Sequence, residues 1–120
     1  MTVYHGTSRW GAEAILTDGP KFERRPHGGR RPFFCVTEDF EVARTFAARR
    51  TSVVDFEAGR LTGEVLEFEL HGDDWDRVRD RRALRDEGEI AVYQTSSIRA
   101  VARWRFEGAK MVRCDIGVSG

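Results

Sequence analysis

The C-terminal end of the chain alternates. Between Ser97 and Glu107 the apolar residues Ile98, Ala100, Ala102, Trp104 and Phe106 occupy every second position, and arginines stand between several of them. Successive side chains of a strand point to opposite faces, so this run offers one face to a core and one to water. Glu107 and Gly108 separate it from a second strand-like run, AKMVRCDI at 109–116. The junction predicts a hairpin. Two strands do not stand alone in water, so the rest of the chain has to supply more strands and a layer to cover the apolar face.

It supplies both. VYHGTS at 3–8, FFCVT at 33–37, EVLEFEL at 64–70 and EIAVYQ at 89–94 all read as strands. In the third of these Leu66, Phe68 and Leu70 alternate with Glu67 and Glu69, which predicts a half-buried strand with a solvated acidic face. Helices are expected at three places. Ser8 caps a segment from Arg9 to Thr17 in which Ala12, Ile15 and Leu16 share a face, and Gly19-Pro20 stops it. Asp39 caps a second helix to about Arg50, with Val42, Ala43, Phe46 and Ala47 on one side. Asp73 or Asp74 caps a third, with Trp75, Val78 and Arg82 as its stripe and Gly88 as its end. KFERRPHGGRRP, 21–32, reads as an exposed arginine-rich loop. The expected class is α+β: one compact domain over 1–120, mainly antiparallel sheet with short helices.

Composition narrows the function classes. Twenty basic and twenty acidic residues cancel to a net charge of zero, which speaks against a surface built throughout for nucleic acid or anionic lipid. No apolar run approaches the ~18 residues of a membrane span. The N-terminus has no basic region followed by an apolar one, so a cytoplasmic location is expected, with leaderless secretion leaving no trace in sequence. Cys35 and Cys114 lie in strand-like runs where buried, reduced thiols are the expectation. With His5, His27 and His71 scattered, no zinc-ligand spacing is present and no metal is expected.

Three separated strings carry a further pattern: YHGTS followed by AEAILTDG, then FFCVTEDFEVARTFA, then EIAVYQTSSI. In this order they resemble the three signature blocks of the ADP-ribosyltransferase fold in its His-Tyr-Glu class, the class of diphtheria toxin and the poly(ADP-ribose) polymerases. The resemblance spans nearly the whole chain. It implies an ADP-ribosyltransferase-like fold with a split antiparallel sheet. It also implies NAD as co-substrate without a metal, cleavage of the nicotinamide-ribose bond, and mono-transfer of ADP-ribose to a protein, a nucleic acid, a small molecule or water.

Carried over residue by residue, His5 is the histidine that holds the adenine-side ribose, and Gly6 offers its backbone to the nicotinamide carboxamide, where a Cβ would block a planar ring. Thr7 fixes the strand end. In the second block an ungapped match sets Cys35 where the class has its tyrosine and Phe46 at the aromatic position of the helix. A register one residue earlier sets Phe34 there instead. Glu89 matches the glutamate that stabilises the cationic ribose as nicotinamide departs. Arg30 and Arg31 lie where a loop covers the pyrophosphate. Glu87, two residues before Glu89, is an acceptor-side candidate. The missing tyrosine keeps a catalytically inactive binding module in view, and an NAD-dependent RNA 2'-phosphotransferase is a further alternative. A toxin role would bring an antitoxin or immunity partner.

Overall fold

A computed structural model of the chain describes residues 2–19, 34–70, 89–92 and 99–116. Its elements run β1 (Thr2–Thr7), α1 (Arg9–Asp18), β2 (Phe34–Thr37), α2 (Phe40–Arg49), α3 (Val53–Glu57), β3 (Glu64–Glu69), β4 (Glu89–Val92), β5 (Ala100–Glu107) and β6 (Lys110–Asp115). The strands form a six-stranded sheet in the order β4-β2-β1-β3-β5-β6, and each neighbouring pair is antiparallel. The protein is an α+β domain with short helices, and no helix among the described residues is long and apolar enough to cross a membrane.

Local chemistry sets the helices. The Ser8 hydroxyl accepts the Gly11 N–H at 3.0 Å and opens α1. Asp39 Oδ1 accepts the Glu41 N–H at 2.9 Å and opens α2. Each cap satisfies a donor that the first helical turn leaves unpaired. α1 turns Ala12, Ile15 and Leu16 to the sheet, as its spacing predicts, and packs on Val3, Val36, Leu66, Phe68 and Leu70. Completely burying a Phe or Leu of this kind contributes about 1.5–3 kcal/mol.

α2 covers the opposite face. Ala43 and Ala47 bury against Val65, with Tyr4, Phe40, Trp104, Phe106 and Met111 around them. Two glycines let it lie close. A Cβ on Gly6 would stand 2.1 Å from the Ala43 carbonyl oxygen, and one on Gly63 would stand 1.6 Å from that of Ala47. α3, which the sequence pattern did not reveal, is one and a half turns long. It leaves Val53, Val54 and Phe56 exposed.

Three expectations need correction. The acidic face of the 64–70 strand is not freely solvated: β3 lies between β1 and β5 with a helix on each face, Glu67 is buried and Glu69 is half-buried, and Glu64, on the opposite face beside Leu66, is buried as well. Cys114 is exposed, because β6 is an edge strand. The alternation at 97–107 does not run unbroken. Phe68 pairs with Ala100 while its neighbour Glu67 pairs with Ala102, so a bulge at Val101 moves Ala100 to the α1 side. The helix expected after Asp73 and the 21–32 loop lie outside the described residues.

Candidate functional site

The three strands that carry the three sequence blocks are neighbours. β1 holds His5, Gly6 and Thr7, β2 holds Phe34 and Cys35, and β4 begins at Glu89. They stand side by side as β4-β2-β1. β4 and β2 pair along four residues, with Glu89 opposite Thr37 and Cys35 opposite Ala91. β1 and β3 pair along six. Between β1 and β2 a single pair, Tyr4 with Thr37, closes the sheet. Beyond that rung no ladder joins His5-Gly6-Thr7 to Phe34-Cys35-Val36. The sheet therefore has a seam, closed at Tyr4 and Thr37.

Register fixes how far apart the candidate groups stand. One row runs across the sheet from Glu89 through Thr37 and Tyr4 to Glu67. Adjacent strands lie ~4.8 Å apart, so Glu89 is about 10 Å from Tyr4 between backbones. His5 follows Tyr4 by one residue and takes the opposite pleat. It pairs with Leu66 and is buried, 8% exposed. By register, His5 stands one pleat away from the row that begins at Glu89.

Gly6 and Phe46 come together. The Cβ of Phe46 would lie 2.9 Å from a Cβ on Gly6, so α2 passes close over the glycine backbone at the position of Phe46. The same geometry gives Gly6 a packing role: its missing side chain is the space into which α2 settles. Thr7 lies at the β1–α1 junction, its hydroxyl 2.2 Å from where a Cβ on Gly11 would be. Arg30, Arg31 and Glu87 lie outside the described residues.

The closing rung is stabilised on both sides, and neither of its residues drew attention in the sequence beyond strand propensity. Thr37 is buried and its hydroxyl accepts the Asp39 N–H at 3.1 Å, which ties β2 to the cap of α2. Tyr4 meets the ring of Phe40 edge-on at 5.2 Å, and Phe40 meets Trp104 at 4.6 Å. Burial, with the charges of Glu67 and Glu69, raises the Tyr4 phenol above its ordinary range. Next to it, Glu67 accepts from Arg113 Nη2 at 2.9 Å and from Trp104 Nε1 at 3.1 Å. The Arg113 bond holds the Glu67 carboxyl below the ordinary carboxylate range, against the opposing effect of burial.

On the α1 side, Glu64 is 2% exposed and accepts from Arg103 Nε at 2.7 Å. Arg103 also donates to Glu13 at 2.7 Å. This network joins α1, β3 and β5 at the end of β1. Among the described residues no group of three or more His, Cys, Asp or Glu side chains could hold a metal ion. Comparison of the chain with protein-family models, curated proteins and solved structures gave no match.

Proposed function

We propose that the chain is an NAD-dependent ADP-ribosyltransferase of the His-Tyr-Glu kind, with NAD bound in the seam between β1 and β2. One observation carries this reading. Three blocks that are far apart in sequence lie on three adjacent strands, at the one place where the sheet is joined by a single residue pair. A ligand that touches all three blocks has to span these adjacent strands, and the Tyr4–Thr37 rung is where β1 and β2 meet.

In this reading the nicotinamide enters beside the Gly6 backbone and stacks on Phe46, and the residue of β2 at the second block forms the other wall. His5 holds a hydroxyl of the adenine-side ribose. Glu89 binds the nicotinamide ribose and opposes the positive charge that builds as the C1'–N bond breaks. The bonding pair leaves with nicotinamide, and an acceptor nucleophile then attacks C1' and loses its proton. With water as the nucleophile the product is free ADP-ribose.

A second reading is a non-catalytic binding module of the same fold. Two observations favour it: Cys35 stands where the class has a tyrosine, and the missing side chain of Gly6 is already accounted for by α2. Incubation with NAD and measurement of released nicotinamide separates the two. Turnover by the parent, reduced roughly 10²-fold in Glu89→Gln with the fold intact, supports the enzyme. Equal turnover by parent and variant removes Glu89 from the chemistry, and NAD binding without any release supports the module.

A further inference from the structure

The free edge of the sheet at β6 matches a second copy of itself. β6 has β5 on one side and no strand on the other among the described residues. It is open to solvent, with Val112 42% exposed and Cys114 exposed. One bond gives the direction of its backbone groups: the Ile116 N–H donates to the Val101 carbonyl at 3.1 Å, toward β5. Backbone direction alternates along a strand. Cys114, Val112 and Lys110 therefore also turn theirs toward β5, while Met111, Arg113 and Asp115 turn theirs to the free side.

Symmetry limits the ways two such edges can pair. A two-fold axis that brings them together antiparallel stands perpendicular to the sheet and keeps each face on its own side, so opposed residues must share a face. Centring the axis on Arg113 or on Asp115 sets like charges against each other. Centring it on Met111 runs the pairing into the turn, and centring it on Val112 opposes Arg113 with Met111. Centring it on Cys114 opposes Arg113 with Asp115 twice over, and Val112 with Ile116. In that register the opposed Arg113 and Asp115 are the residues whose backbone groups point outward.

We infer that β6 pairs antiparallel with β6 of a second copy about Cys114, joining the two sheets into one. Charges on an edge strand ordinarily guard against such pairing. Here they are self-complementary. Arg113 already contacts Asp115 within its own strand, and Asp115 is 78% exposed, so the second copy's Asp115 joins a pair that faces it. Cys114 then meets its own copy in a pair without backbone bonds. The Cα separation there is about 4.5 Å, inside the range that a disulfide spans.

Cross-linking in a Cys35→Ser background tests this. With oxidised glutathione, two Cys114 thiols give up two protons and two electrons and form one S–S bond, while glutathione's own disulfide is reduced to two thiols. The expected result is a covalent dimer through Cys114, together with a reduced dimer in sedimentation velocity that grows with concentration. One strand pair is a small interface, so protein at about 10⁻⁴–10⁻³ M is appropriate. Asp115→Arg sets arginine against arginine and should slow cross-linking at least ten-fold, with Asp115→Asn between it and the parent. Far-UV circular dichroism checks that each variant is folded. Lys110→Cys with Cys114→Ser should give no covalent dimer, since the two thiols would lie about 27 Å apart along the strands at ~3.4 Å per residue. Three results would each overturn the inference: Cys114 reacting no faster than that control, Val112→Cys cross-linking faster than Cys114, or a rate indifferent to Asp115→Arg.

Discussion

Glu67 shows how a single carboxylate can bind three strands together. It sits on β3, takes the indole N–H of Trp104 on β5, and takes the guanidinium of Arg113 on β6. Its side chain is 9% exposed and that of Arg113 is 39% exposed, so water screens only one partner. Glu67→Gln keeps the shape and removes the charge. It should lower the unfolding free energy by about 1.5–3 kcal/mol, the range for a hydrogen bond to a charged group, with the Arg113 exposure favouring the lower end. The pH dependence has a definite sign. The folded carboxyl lies below its ordinary value of 4.5, so the folded state holds its proton less tightly than the unfolded chain. The stabilisation is present in full above the ordinary carboxylate range and is lost as pH falls through the depressed value. Urea midpoints measured from neutral pH downward should therefore fall less steeply in Glu67→Gln than in the parent. Gly6→Ala belongs at the same scale. Its Cβ would meet a backbone oxygen at 2.1 Å, so α2 has to move, and a loss of about 1–3 kcal/mol or more in chemical denaturation is expected.

α2 links the core to the candidate site, and its two functions can be separated by substitution. Asp39→Ala removes the cap and should cost about 1 kcal/mol of stability. Phe46→Leu leaves the cap alone and should weaken NAD binding by about 0.5–1.5 kcal/mol beyond any change in stability. Titration calorimetry on Phe46→Leu and Phe34→Leu decides the register of the second block, and an effect confined to Phe34→Leu selects the earlier one. At this scale the sequence was informative where chemistry is local. Ser8 and Asp39 as caps, the faces of α1 and α2, and the turn after Glu107 follow from side chains acting within a few residues. β3 was misread because EVLEFEL alternates like a strand with one wet face, while its central place in the sheet depends on partners far away in sequence. Arg103 and Arg113, which neutralise Glu64 and Glu67, lie 39 and 46 residues further on. The bulge at Val101 is invisible for the same reason, and α3 has too few residues for a helical stripe. For the candidate site, the strings around His5, Cys35 and Glu89 were legible, but the rung of Tyr4 and Thr37 that closes the seam was not. A tyrosine and a threonine in strands carry no signal of register.

For the whole molecule, the seam makes stability and ligand binding two views of one property. β4 and β2 form one short ladder, β1, β3, β5 and β6 form a longer one, and the described pairing between the two consists of Tyr4 with Thr37. A ligand that contacts both sides of the seam adds partners across it only in the folded state, so it should stabilise the fold by mass action. Free NAD at 100 times its dissociation constant adds about 2.7 kcal/mol, equivalent to a rise in Tm on the order of 10 °C for a chain near this size. Glu89→Gln is the appropriate protein for this measurement, because it should bind NAD without consuming it. The rise should be accompanied by slower amide exchange at residues 5–7 and 34–36, the two margins of the seam, and by no change at β6. An unchanged Tm and unchanged exchange at NAD concentrations up to the millimolar range would remove NAD from the seam. A rise in Tm with protection confined to other strands would move the binding site elsewhere on the sheet.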